Sequence, residues 1–310
     1  MIIFKKLCLV LVSITTAGIF LSSCDKNDPV ATAPSLESFL SNNAELSIFN
    51  AAVNKAGLKT FKEGGGPFTW FAPNNTAFTS AGITLDSVGK MTEGAANYLV
   101  TYHLLNASFG SINMIAQNSF PRTTQQGSSV YIGRNGNTFF INGSQILSAD
   151  QAVANGLVHI INRVNTPPQL VGNLQNILTK TGAHTLFIAA LTKANRWTQL
   201  STASVFTVLA PTDAAMTNAG LDSTAIAGAT RGKVDSIVRY HYFNSLRYFS
   251  NDFGTKQTPQ TALGSGRTIT SLENGAKLKG KTNVTPANVI KTDLLGTNGV
   301  VHIIDGVLSF

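Results

Sequence analysis

Histidine is the residue type here best suited to acid–base or metal chemistry, and it occurs five times, at His103, His159, His184, His241 and His302. A metal site on a helix sets a second ligand three or four residues from the first. None of the five has a second histidine at that spacing. His159 and His302 stand alone in apolar, strand-like runs, where a single polar side chain meets solvent or bonds to backbone. The fifteen Asp and Glu are scattered, and no carboxylate pair of the kind a glycosidase needs recurs along the chain. No Gly-x-Ser-x-Gly segment marks a nucleophile elbow. Asp213 and Asp305 are the carboxylates expected to be buried. These residues point to a non-enzyme with no metal and no cofactor.

There are two cysteines. Lys5 and Lys6 precede an apolar stretch, Leu7 to Phe20, that is short for a bilayer span and has the layout of an export signal. It ends in Leu21-Ser22-Ser23-Cys24, which resembles a bacterial lipobox, so residues 1–23 are expected to be a signal peptide and Cys24 the lipidated residue. Residues 24–34 then form a polar tether, and the protein is expected to be anchored to the cell envelope by lipid without crossing the membrane. Cys8 would leave with the signal, which excludes disulfides, thiolate metal sites and cysteine nucleophiles from the domains.

The elements that must position the histidines come in two sets. Phe68 to Gly82 returns as Phe206 to Gly220, with eight of fifteen positions identical at an offset of 138. Tyr102-His103 returns as Tyr240-His241 at the same offset. Asn155 to Ile161 returns as Asn298 to Ile304 at an offset of 143. Three blocks in one order give two globular domains, residues 35–165 and 169–310, joined by a stiff Pro-rich link at 166–168. Each opens with two short amphipathic helices, followed by a strand from Phe68 or Phe206, an Ala-Pro turn and a short helix. Asp86-Ser87 and Asp222-Ser223 read as matching helix caps. A longer helix is expected through Tyr98 to Leu105 and through Ile237 to Phe243. The remainder reads as strands: Val130 to Ile132, Thr138 to Asn142 and Val158 to Val164, then Thr268 to Leu272, Ala276 to Leu278 and Val300 to Leu308.

Charge divides unevenly. Residues 25–165 hold eight Lys/Arg and eight Asp/Glu, whereas residues 166–310 hold thirteen and seven. The second domain therefore carries all the excess, a net of +6. Lys277, Lys279 and Lys281 alternate and would share one face of an extended strand, as a solvated face or as the contact for an anionic partner. No nucleic-acid motif accompanies them.

The blocks at 68–78 and 206–216, the Tyr-His pairs, and the closing segments at 155–162 and 298–305 resemble the fasciclin-like domain, here in the setting of a bacterial, Bacteroidetes-type surface lipoprotein. The resemblance implies an α+β fold: two tandem domains, each a bent β-sandwich of about seven strands flanked by helices. It also implies a role in adhesion or extracellular interaction, with Tyr102, His103, Tyr240 and His241 in a region tied to recognition in animal relatives. Residue by residue, both pairs read here as packed elements of the fold. The first domain departs from the pattern, with Asn74-Asn75 and Asn162 where the second has Thr212-Asp213 and Asp305. Asn keeps the acceptor and loses the charge.

Two functions fit. One is a membrane-anchored module for adhesion or protein–protein contact, including service as an accessory subunit of an outer-membrane transporter complex. The other is glycan or peptide capture for nutrition. Sugar platforms need exposed aromatics, and of the two tryptophans Trp70 is expected in the core and Trp197 at the surface. Asp86-Ser87-Val88, Asp222-Ser223-Thr224 and Asp235-Ser236-Ile237 resemble Asp-Ser/Thr-apolar sites of bacterial O-glycosylation.

Overall fold

The computed structural model describes residues 32–58, 61, 65–114, 117–254, 258–264 and 266–310. The signal segment, Cys24 and most of the tether lie outside the described residues.

Helices α1 (Leu36–Ser41) and α2 (Ser47–Lys55) open the first domain. Strand β1 (Phe68–Pro73) leads to α3 (Asn75–Ser80), α4 (Leu85–Lys90) and α5 (Glu93–Thr101). Strands β2 (Leu104–Leu105), β3 (Gln117–Thr123), β4 (Ser129–Asn135), β5 (Thr138–Ile141), β6 (Ser144–Val153) and β7 (Gly156–Ile161) complete it. The seven strands make one sheet in the order β2-β1-β7-β6-β5-β4-β3, with β1 and β7 parallel and the other pairs antiparallel.

The second domain repeats the plan. Helices α6 (Pro168–Val171), α7 (Leu174–Thr181) and α8 (Thr185–Lys193) precede β8 (Phe206–Pro211). Then come α9 (Asp213–Asn218), α10 (Ser223–Gly228), α11 (Arg231–Tyr240), β9 (Tyr242–Asn244) and α12 (Ser250–Phe253). Strands β10 (Thr270–Leu272), β11 (Lys277–Lys279), β12 (Ala287–Gly296) and β13 (Gly299–Ile304) finish a six-stranded sheet, β10-β11-β12-β13-β8-β9.

Strand β1 is buried on both faces, and alternation sends its side chains to two separate cores. Phe68, Trp70 and Ala72 join the helices, while Phe71 joins Tyr102, Val130, Ile132 and Ile141 inside the curled half of the sheet. In the second domain Phe206, Val208 and Ala210 face the helices and Leu209 faces the opposite core. The buried threonine of each Phe-Thr pair holds a loop. Thr69 Oγ1 donates to Ala107 O and accepts from Phe109 N, and Thr207 Oγ1 does the same with Leu246 O and Tyr248 N. The Asn-Gly of the closing motif is also steric. Gly156 and Gly299 take φ of 153° and 159°, and a Cβ there would run into the carbonyl oxygens of Phe68 and Phe206.

Several expectations need correction. The long helices stop at Thr101 and Tyr240, short of Leu105 and Phe243, because the next residues pair with β1 and β8 instead. Strands β3, β6 and β12 had no signal in the sequence. Strands β6 and β12 contain register shifts, and a bulge breaks the two-residue alternation that announces a strand. The helix caps also realign. Thr84 caps α4, with Ser87 as its capping-box partner, and Asp222 caps α10. Thr84, and not Asp86, is thus the counterpart of Asp222. Asp235 and Ser236 lie within α11.

Candidate functional site

The Tyr-His pairs sit wholly inside the protein. Each histidine follows the last turn of its helix, where backbone carbonyls lack amide partners. His103 Nδ1–H donates to Leu99 O at 3.0 Å, and its Nε2 accepts from Asn165 N at 3.0 Å. His241 does the same with Ile237 O and Leu308 N at 2.8 and 2.9 Å. One ring thus ends the helix and ties the last segment of its domain to it. Burial holds both rings neutral, with pKa values lowered to about 4 despite the opposing hydrogen bonds to Leu99 and Ile237. Tyr102 Oη donates to Ser129 O and accepts from Asn142, and Tyr240 Oη donates to Thr268 O and accepts from Lys281 N. Burial pushes both phenols up.

His159 and His302 likewise spend both ring nitrogens on backbone, and His184 spends one, its buried Nε2 having no partner among the described residues. His159 Nδ1 accepts from Asp150 N and its Nε2–H donates to Phe109 O; His302 takes Asp293 N and Tyr248 O in the same roles. Desolvation lowers both pKa values. His184 Nδ1–H donates to Pro211 O at 2.8 Å. Among the described residues there is no cluster of three or more His, Cys, Asp or Glu disposed around a metal position.

A repeated feature emerges that the sequence reading missed. Asp150 and Asp293 occupy the bulges of β6 and β12 with left-handed φ of 58° and 61°. Asp150 accepts from Ser111 N and Ser111 Oγ, and Asp293 from Ser250 N and Ser250 Oγ. Ser, His and Asp meet in both copies, but the imidazole faces the Asp backbone amide and leaves no base for the serine. The signal was present: an Asp nine residues before the strand histidine in each module. Asp305, expected to be buried, is exposed and accepts from Asn288. Asp213 is half-buried and accepts from Leu186 N and Thr185 Oγ1. Asn75 replaces it without losing the contact, since Asn75 Oδ1 accepts from Ile48 N while Nδ2 adds a bond to Ala44 O.

The deeply buried carboxylates lie at the domain junction. Asp252 Oδ1 accepts from Ser119 N and Ser119 Oγ at 3.0 Å each, and Asn251 Nδ2 donates to Ser119 Oγ. Burial raises the Asp252 pKa against those hydrogen bonds. Arg163 reaches Asp293 at 3.2 Å. Tyr131 packs on Phe249 with ring centroids 5.4 Å apart, and the Arg247 guanidinium lies 5.0 Å from the Tyr131 centroid. Ser128 Oγ donates to Gln169 Oε1 just past the proline pair. Ala33–Phe310 accordingly form one unit.

The lysine series divides. Lys277 and Lys279 share a face of β11 with Leu278 buried opposite, and Lys277 pairs with Glu273 at 2.6 Å. Lys281 lies past the strand, exposed, so the shared face holds two lysines and not three. Trp70 is fully buried. Trp197 is half-buried against the second helical core and borders a groove with Gln169, Gln175 and Asn176.

The Fasciclin domain family model matches residues 44–167 and 182–310. Among curated relatives, mouse stabilin-2 is 24% identical over 278 residues, covering 88% of this chain and 10% of the relative. Human periostin is 27% identical over 264 residues, covering 79% and 29%. The immunogenic protein MPB70 of Mycobacterium bovis is 30% identical over 146 residues, covering 46% and 70%. The chain thus spans less than a third of stabilin-2 and of periostin. A solved FAS1 domain pair from the insect cell adhesion molecule fasciclin I aligns with 87% of this chain and 98% of that one, at a TM-score of 0.40 and 19% identity.

Proposed function

We propose that this chain, which belongs to the fasciclin domain family, is a non-catalytic, lipid-anchored envelope protein that mediates adhesion or protein–protein contact. One observation carries the reading. The histidines and the buried carboxylates, the groups with which an enzyme would work, are bound to backbone or to the neighbouring domain. The histidines brace each domain internally while Asp252 and Asp293 tie the two domains together, and a preorganised surface lowers the cost of recognition. No described helix is long and apolar enough to cross a membrane. The partner would be a protein at the cell surface, with an outer-membrane transporter complex as one setting.

Cells displaying the full chain are compared with cells carrying Cys24→Ala, with labelled palmitate as tracer. The expected result is label in the wild type alone, and adhesion to neighbouring cells that falls when the anchor is lost. Equal labelling would remove the anchor. Equal adhesion by cells lacking the chain altogether would remove the function.

A second reading, glycan binding, draws on Trp197 beside the amides of Gln175 and Asn176. Quenching of Trp197 fluorescence by oligosaccharides, lost in Trp197→Phe, is its test.

A further inference from the structure

A cleft of about 640 Å³ opens at the junction of the domains, within the range of roughly 300–1,000 Å³ typical of small-ligand sites. Its floor is apolar, with Ile177 and Leu294 of the second domain. Its rim is cationic, with Arg163, Lys180 and Lys291. Arg163 is engaged, through Asp293, Ser144 Oγ and Asn142 O. Lys180 and Lys291 are exposed and make no ion pair or side-chain hydrogen bond among the described residues.

Asn165 makes this more than a basic surface. It lines the cleft, is 5% exposed, and its Nδ2 has no hydrogen-bond partner. Ser144 Oγ, which accepts from Arg163 Nε–H, donates to Asn165 Oδ1 at 2.8 Å. Two donor hydrogens on Nδ2 are left over, and a buried donor without an acceptor is costly.

The duplicated domain supplies an internal control. At the position of Asn165 the second copy has Leu308, identified by the shared bond from its amide to the Tyr-His imidazole, and Leu308 is buried in the core. At the offsets of the repeats, Arg163 corresponds to Gly306, Lys291 to Ser148 and Lys180 to Asn42. The scaffold therefore requires none of these four polar groups. They gather only where the two domains face one another.

We propose that this cleft binds a small organic carboxylate with an apolar body. Lys180 and Lys291 neutralise the head, Asn165 Nδ2 donates to one of its oxygens, and Ile177 and Leu294 receive the tail. Charge-assisted hydrogen bonds of this kind are the stronger class, and the tail adds burial that inorganic anions lack.

The test uses the full chain, labelled with ¹⁵N, titrated with hexanoate and octanoate, with inorganic phosphate as the head alone and hexanol as the tail alone. The carboxylates should shift the Asn165 side-chain amide resonance, octanoate binding more tightly than hexanoate. Asn165→Leu, which copies the residue of the second domain, should weaken octanoate by roughly tenfold while the protein stays folded. The pair Lys180→Glu and Lys291→Glu, at exposed positions, should do so as well. The proposal fails if phosphate or hexanol binds as tightly as hexanoate, if the charge-reversed protein binds unchanged, or if neither carboxylate binds.

Discussion

Arg163 of the first domain meets Asp293 of the second at 3.2 Å, and the Asp293 side chain is fully shielded while that of Arg163 is 37% exposed. The same carboxylate caps Ser250 through its backbone amide and hydroxyl. One group therefore holds both a bulge within its domain and the contact between domains.

Removing one partner leaves a buried charge uncompensated, although the exposed guanidinium reduces the effect. Arg163→Met should cost about 1–2 kcal/mol, and adding Asp293→Asn should recover part of it. A double-mutant cycle of thermal unfolding checks the coupling. Strict additivity of the two changes would show that the pair contributes nothing to the junction.

The histidines set an acid limit on stability. His103 and His241 have folded pKa values lowered to about 4, against an unfolded value of about 6.5. Between these values the unfolded chain binds protons that the folded chain refuses, so stability is full above the unfolded value and declines as pH falls toward the folded one. Each ring should contribute a decline of about 3 kcal/mol across that window. Asp252 runs the other way, since its raised pKa makes the folded state bind its proton more readily. Urea titrations at stepped pH measure the slope, which His241→Gln should reduce by about one proton.

Gly156→Ala and Gly299→Ala should each cost about 1–3 kcal/mol, because the added Cβ meets the carbonyl across the parallel strand pair. Gly228→Ala, in a helix at a position with nothing nearby, is the control and should be neutral to slightly stabilising. A shift in urea midpoint at constant slope reads both.

The excess positive charge of the second domain should make association with an acidic probe salt-dependent. Lys279→Glu with Lys281→Glu should slow binding to polyglutamate, measured by stopped flow at low salt, and leave the melting temperature unchanged. The effect should fade as the screening length shortens to about 10 Å near 0.1 M salt. A rate indifferent to both changes would make these lysines a solvated face.

The duplicated motifs made the two-domain fold readable, because Phe-Thr, Tyr-His and Asn-Gly are local words whose jobs are the same in each copy. Thr69 and Thr207 bind one loop each, and His103 and His241 end one helix each. The junction was not readable. Ser119 and Asp252 are separated by 133 residues and leave no periodicity for a sequence to show. Strand β12 was missed for a related reason, since its bulge places Asp293 in a conformation that no alternating pattern predicts.

The bond from Arg163 to Asp293 joins unlike faces of two like bodies, the trailing edge of one to the bulge of the next. A contact of that kind, repeated, would build a ring or an open filament. The equivalent positions of the other copy do not carry the same partners. The trailing edge of the second body offers Gly306 where the first offers Arg163. At the leading face, Ile112 stands 94% exposed where Asn251, its counterpart one residue after the capping serine, grips its neighbour. Arg163 and Asn251 thus mark the two faces that differ between the copies, and these are the faces that meet at the junction.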